Sequence, residues 1–299
     1  MEFLRFLAQY RTPAGDIFFF FFSYLAQEVF VVAVICWLFW CTNKRLAYTL
    51  GFSYFSSGLF VQGLKITFRI PRPWILDPTF SPVDSAVAGA TGYSFPSGHT
   101  QSISSLFGTL AFHGKKLRQK CLCLFVVFLV GFSRMYLGCH TPKDVCTSWA
   151  LTLFFTWLAY SLFYKRDFQK GKEGRISLIM AALCIFLCIY AVILNQSGTI
   201  TLSYARDCLK AAGAGTAFAL GFYVENRFIR FTLPKKMSQK LFRTILGLTV
   251  ALCIQEGLKP LIGTSLPASF IRYFLVVSWI LILYPFLFTK FSRKDAAKA

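Results

Sequence analysis

Three short stretches of this chain hold residue types that can bind and attack a charged group. "KITFRIPRP" carries Lys65, Arg69 and Arg72 ahead of Pro73, "TGYSFPSGHT" carries Ser97, Gly98 and His99, and "SRMYLGCHTPKD" carries Arg134, His140 and Asp144. His99 and His140 are two of only 3 histidines in 299 residues. Lys65, Arg72 and Arg134 supply fixed positive charge, and a helix beginning at Ser97 adds free N–H groups that favour an anion. Together they describe a pocket for a highly charged anion, of which phosphate is the obvious case. Two histidines beside such a pocket supply a nucleophile and a proton donor.

Each stretch also has a purely structural reading. Cations at the end of a membrane span commonly snorkel to the headgroups. Lys65 and Arg69, one turn apart, share a helical face, while Pro71 and Pro73 end the helix and leave Arg72 on a bent, stiffened segment. Ser97 fits a helix N-cap and Gly98 permits close approach to the backbone, but a capped turn with nothing bound fits the same residues. His140 and Asp144 lie four apart, close enough on one helical face for the carboxylate to hold the imidazole. Asp144 equally completes a capping box begun by Thr141, with Pro142 at the first helical position. His140 has no comparable structural use.

The elements that must position these groups are membrane helices. The chain is 56% hydrophobic and 18% aromatic, with 35 Phe and 15% charged residues, more apolar surface than a soluble domain of this length can hide. Segments long enough to span a bilayer, or nearly so, fall at about 17–40, 46–68, 97–113, 121–138, 143–163, 176–194, 209–226, 241–259 and 270–289. The fold class expected is all-α, a polytopic membrane helical bundle of about nine spans, with residues 1–12 lying along the interface. A net charge of +20 ordinarily suggests nucleic acid, yet 21 of the 32 Lys and Arg fall on one side of this arrangement. Cytoplasmic basic loops account for that bias without a nucleic-acid partner, and place the N-terminus outside, the C-terminus inside and all three motifs on the extracytoplasmic face. No basic start, short apolar core and small-residue cleavage site mark a cleaved signal peptide.

Other polar residues are less telling. Most of the 10 cysteines sit in apolar runs and read as small buried hydrophobes, and no CxxC pair or histidine cluster offers a metal site. Glu28 falls midway along the first span, where a carboxylate needs a partner or a proton. It could brace Lys65, Arg72 or Arg134 from behind, as Arg69 could from the face of Lys65, or bond a neighbouring helix. His113 reads as a solvated interfacial residue, and Asp207–Lys210 and Glu256–Lys259 as local ion pairs. Residues 74–95, with Trp74 and Phe80 suited to an interface, form either a lid for a headgroup or a passive connector.

Lys65–x6–Arg72-Pro73, Pro96-Ser97-Gly98-His99 and Ser133-Arg134–x5–His140–x3–Asp144 stand in this order with no departure at the signature positions. They resemble the tripartite signature of the type 2 phosphatidic acid phosphatase superfamily. The resemblance implies a six-helix phosphatase-like core within residues 1–194. Residues 195–299 resemble an extension of further membrane helices found in some bacterial members, and the nine-span, N-out arrangement is similar to the glucose-6-phosphatase branch. It further implies hydrolysis in two steps with no metal or cofactor. His140 attacks phosphorus while Asp144 fixes its tautomer, and His99 protonates the leaving oxygen and then activates water. Lys65, Arg72, Ser97, Gly98 and Arg134 bind the phosphoryl oxygens. The implied substrate is a lipid phosphate, such as undecaprenyl diphosphate or a phosphatidate-type or sphingoid phosphate. A soluble phosphate ester, phosphotransfer to a lipid hydroxyl and the vanadate haloperoxidase reaction use the same residues, although the haloperoxidase relatives are soluble. An anion transporter is the non-enzymatic alternative; against it, the charges stop at one face and no cation series lines the spans.

Overall fold

The computed structural model describes residues 1–165 and 171–296, so Arg166, Lys170 and Lys298 of the basic segments lie outside the described residues. Among these the chain is helical without a strand. In order, the helices are α1 (Glu2–Gln9), α2 (Pro13–Tyr24), α3 (Glu28–Trp37), α4 (Lys44–Phe68), α5 (Pro73–Leu76), α6 (Asp84–Val87) and α7 (Gly98–His113). There follow α8 (Leu117–Tyr136), α9 (Pro142–Tyr160), α10 (Glu173–Gln196), α11 (Leu202–Val224), α12 (Met237–Ile262), α13 (Leu266–Ser278) and α14 (Tyr284–Ala296). Caps fix several starts: Thr12 Oγ1 accepts the Gly15 N–H at 3.1 Å ahead of Pro13, and Ser265 Oγ accepts that of Ala268 at 3.3 Å.

The helices fall where apolar runs predict them, with one break. The expected span 17–40 is divided into α2 and α3, which meet at 44°. Five helical segments are long and apolar enough to cross a membrane: Leu117–Tyr136, Pro142–Tyr164, Glu173–Gln196, Met237–Ile262 and Leu266–Lys290; the bent pair makes a sixth if it is one span. The other expected spans, α4, α7 and α11, owe their lower hydropathy to serines, glycines and charges, and α7 has only 16 residues. More than half of the residues of α7 and of α11 are buried.

Two compact units emerge: Met1–Val32 with Phe52–Lys165, and Ala33–Gly51 with Arg166–Ala299. In the first, α7 packs against α8 and α9. Ser53 and Thr156 hydroxyls meet at 2.7 Å, and Gln101 Nε2 donates to Ser57 Oγ at 2.8 Å and to the Tyr54 carbonyl at 2.9 Å. Buried polar groups need such partners. α1 sets Leu4 and Leu7 against Phe80, Met135 and Val145. Its Arg5 pairs with Asp77, and Arg11 just beyond it donates to the Tyr136 and Ser81 carbonyls. Hydrogen bonds from Thr79, then Arg5, hold the exposed Asp77 carboxyl below its usual range. Residues 74–95 are therefore strapped down, and Phe80 is buried where an interfacial position was expected. His113 is likewise half-buried, with Nδ1 2.7 Å from the Thr109 carbonyl and its ring against Tyr164, rather than solvated.

In the second unit α11 packs against α10 and α13. Its small residues explain the closeness: a Cβ on Gly213 would stand 2.3 Å from the Phe270 carbonyl oxygen, and one on Gly221 2.5 Å from Leu281 Cβ. Ala217 between them completes a small-xxx-small stripe that lets backbones touch. Beyond α11 a π-helical turn, Glu225–Ile229, presents the buried Glu225 to Lys44 Nζ at 2.5 Å and to the Tyr48 hydroxyl at 2.7 Å. Asp207 and Lys210 pair at 2.7 Å as expected. Glu256 and Lys259 do not pair; both are exposed, and an exposed pair gains little.

Because a backbone oxygen cannot swing aside, Gly213→Leu is expected to lower stability by about 1–3 kcal/mol or more. Gly257, in open space on α12, should gain about 0.5–1 kcal/mol on change to Ala from helix propensity alone. Denaturant midpoints of the two purified variants check both signs.

Candidate active site

Each motif enters the first unit through a different local device. Lys65 lies in the last turn of α4, which ends as Arg69 takes a left-handed φ of 50° just ahead of Pro71. Arg72 follows on extended backbone as the N-cap of α5. Ser97 caps α7, its Oγ accepting the Thr100 N–H at 3.4 Å as well as the Thr100 hydroxyl at 2.9 Å, and a Cβ on Gly98 would meet nothing within 4 Å. That glycine leaves one wall open to an incoming group. Arg134 closes α8, and its carbonyl accepts the His140 N–H at 3.2 Å, folding the 137–141 turn back on the helix.

The sequence motifs converge here. Lys65, Arg72, Arg134, His140 and Asp144 are all buried. His99 lies within electrostatic range of Arg134, His140, Arg72 and Lys65. Arg72 Nη1 stands 2.9 Å from His140 Nε2. Arginine only donates, so Nε2 carries the lone pair and the ring proton sits on Nδ1. Nδ1 faces Asp144 Oδ2 at 3.6 Å, an approach longer than a hydrogen bond. Burial first, then the charges of Arg72, Arg134 and Lys65, holds the His140 imidazole well below its usual range.

The cations are not equally engaged. Arg72 donates to the carbonyls of Thr91, Gly92 and Cys139, and Lys65 Nζ to that of Tyr93 at 2.7 Å. Arg134, 2% exposed, gives Nη1 to Ser23 Oγ at 2.5 Å, while Nε and Nη2 find no partner among the described residues. A buried guanidinium with two unpartnered nitrogens fits a phosphoryl group, which accepts in the same forked geometry.

Two residues expected to support the site have a local setting other than the one their spacing suggests. Glu28 is not in mid-helix; it opens α3 after the break and is exposed. Arg69 does not share the face of Lys65: its left-handed turn takes it off α4, where Nη1 donates to the Ile66 carbonyl at 3.2 Å.

The fold and this grouping are those of a helical membrane protein with buried cations gathered around a histidine. Residues 46–168 match the family model described as PAP2 superfamily, and residues 209–296 the one described as PAP2 superfamily phosphatase, transmembrane extension. The chain belongs to the type 2 phosphatidic acid phosphatase superfamily. Dihydrosphingosine 1-phosphate phosphatase YSR3 of Saccharomyces cerevisiae is 27% identical over 197 residues, covering 60% of this chain and 46% of that protein. Undecaprenyl-diphosphatase of Sulfolobus acidocaldarius is 26% identical over 141 residues, covering 47% of this chain and 66% of that protein. The crystal structure of Aquifex aeolicus LpxE aligns with a TM-score of 0.46 and 27% identity, covering 54% of this chain and 93% of that one.

Sequence reasoning missed three serines. Ser94 donates to Asp144 Oδ2 at 2.6 Å, Ser148 donates to the Ser97 carbonyl at 2.9 Å, and Ser23 holds Arg134. Ser148 was open to discovery, being four residues beyond Asp144 on α9; Ser94 and Ser23 become partners only through folding. Ser94→Ala is expected to cost about 1.5–3 kcal/mol, the worth of a buried hydrogen bond to a charged group. Ser94→Thr, which keeps the hydroxyl, should cost less in the same denaturation measurement.

Proposed function

We propose that the chain is a membrane-integral phosphatase that hydrolyses a lipid phosphate or prenyl diphosphate through a phosphohistidine, without a metal. The observation that carries this reading is the His140 Nε2 lone pair. It belongs to a buried imidazole with Asp144 behind it and the charge of Arg134, two of whose nitrogens are unpartnered, acting on it. The matched relatives are named for dihydrosphingosine 1-phosphate and undecaprenyl diphosphate, which supports a lipid substrate.

As Arg72 turns from Nε2 to the phosphoryl oxygens, the freed Nε2 attacks phosphorus, forming N–P as the P–O bond to the leaving group breaks, and His99 gives a proton to the departing oxygen. Positive charge that develops on His140 is stabilised by Asp144 near Nδ1. Water then loses a proton to His99 and attacks phosphorus, and the N–P bond breaks to restore Nε2. Lys65, Arg72, Arg134, Ser97 and the Gly98 N–H hold the equatorial oxygens, so that positioning and charge carry most of the catalysis. Residues 1–194 hold this chemistry, and residues 195–299 add membrane helices. The excess of Lys and Arg in the opposite loops supports an extracytoplasmic site, with the N-terminus outside and the C-terminus inside.

His140→Ala is expected to abolish phosphate release while the protein still folds, and Arg134→Ala to slow it by about 10²–10³-fold. Malachite-green assays on undecaprenyl diphosphate, phosphatidate, sphingosine phosphate and glucose-6-phosphate read both. Preference for glucose-6-phosphate would reject the lipid reading, and anion flux in liposomes surviving His140→Ala would establish a transporter. The pH dependence has a defined sign. Attack needs neutral His140, whose affinity for a proton is lowered, so its protonation limb must lie below the ordinary histidine value of about 6.5. Lys65→Met removes one of the lowering charges and should raise that limb, read by NMR of ¹⁵N-histidine-labelled protein.

A further inference from the structure

The second unit holds a buried cation for which the catalytic proposal has no use. Arg272 on α13 is 6% exposed, and its Nε and Nη1 are buried with no hydrogen-bond partner among the described residues. Ser269, one turn earlier on the same face, is 1% exposed with its Oγ likewise unpartnered. The guanidinium carbon lies 5.8 Å from the Tyr273 ring, and among the described residues no carboxylate pairs with it.

The neighbouring helix adds to this charge. Gly213 faces the Phe270 backbone and Gly221 faces Leu281, so α11 and α13 run parallel. Arg206, seven residues before Gly213, therefore sits roughly 10 Å before that contact, level with the start of α13. Its Nε is also buried and unpartnered. Arg272, two residues beyond the contact, lies about 13 Å further along the axis than Arg206; of the charges near Arg206, Asp207 is already paired with Lys210.

Snorkelling does not explain Arg272. A snorkelling arginine keeps its charged head in water, whereas two of its nitrogens are shut away from solvent. Burying a charge without a partner is unfavourable, and the arginine fork is built for bidentate contact with phosphate. We propose that Ser269 and Arg272, with Arg206 at the rim, form an anion site that takes a phosphate group, built from residues the catalytic pocket does not use. A lipid headgroup and free phosphate share this chemistry. The proposal stands whether or not the catalytic reading holds.

The test uses the full-length, delipidated protein in an Arg134→Ala background, which weakens the catalytic pocket. Native mass spectrometry measures retention of phosphatidylglycerol in one arm, with phosphatidylcholine as the comparison. Isothermal titration with inorganic phosphate is the other arm. One phosphatidylglycerol or one phosphate should bind, and Arg272→Gln should weaken it by about tenfold or more. Lys259→Gln, at an exposed cation of the same unit, should leave it unchanged. Binding of phosphatidylglycerol alone assigns a headgroup site; binding of both assigns a site for any phosphate group. Equal binding by Arg272→Gln and its parent overturns the proposal. Should Arg272→Gln fail to fold, Ser269→Ala decides: unchanged affinity overturns the site, and weakened affinity supports it.

Discussion

Asp144 is the joint on which the candidate pocket depends. Its Oδ2 takes the Thr141 N–H at 2.8 Å and the Ser94 hydroxyl at 2.6 Å, while its main-chain oxygen takes the Ser97 N–H at 3.2 Å and shares the single Ser148 hydroxyl proton, 3.0 Å away, with the Ser97 carbonyl. One residue thus ties the start of α9, the cap of α7 and the loop before it. Such bonds to an ionised acceptor are stronger than neutral ones and help offset the cost of burying the carboxylate. Asp144 does both jobs weighed from its spacing, unequally: the cap is bonded, and the imidazole is approached.

The cations around that joint divide their work. Lys65 and Arg72 spend N–H groups on the carbonyls of residues 91–93, and so hold the loop leading into α7. Arg134 keeps two nitrogens, Nε and Nη2, unspent among the described residues. A phosphoryl group entering beside Arg134 can then draw Arg72 and Lys65 from neutral carbonyls to charged oxygens, which are better acceptors. On the proposed reading, loop order and anion binding are linked through the same side chains.

Helices were legible because long apolar runs leave few alternatives in a bilayer, and the three motifs were legible because residue type and spacing are local properties. What escaped was set by tertiary contact. The break between α2 and α3 interrupts a run whose apolarity continues across it, and no proline or glycine announces it. Arg69 left its helix through a left-handed turn that the spacing from Lys65 does not show. Phe80 looked interfacial as an aromatic in a polar loop, but α1 covers it. Ser94 is one of many serines until Asp144, 50 residues later, gives its hydroxyl a charged acceptor.

The interleaving of the two units has a consequence for how the protein is made. Residues 33–51 leave the ribosome early, yet their partners come late: Lys44 waits for Glu225 across 181 residues, and Trp40, whose indole N–H bonds the Ile280 carbonyl, waits for 240. At about 5–20 residues per second, the Lys44 ammonium stays without its carboxylate for roughly 10–40 s. During that interval the ammonium is left to water and headgroups, and the indole to the interface. Biogenesis of this chain therefore has a built-in delay between the early segment and the helices that complete its contacts.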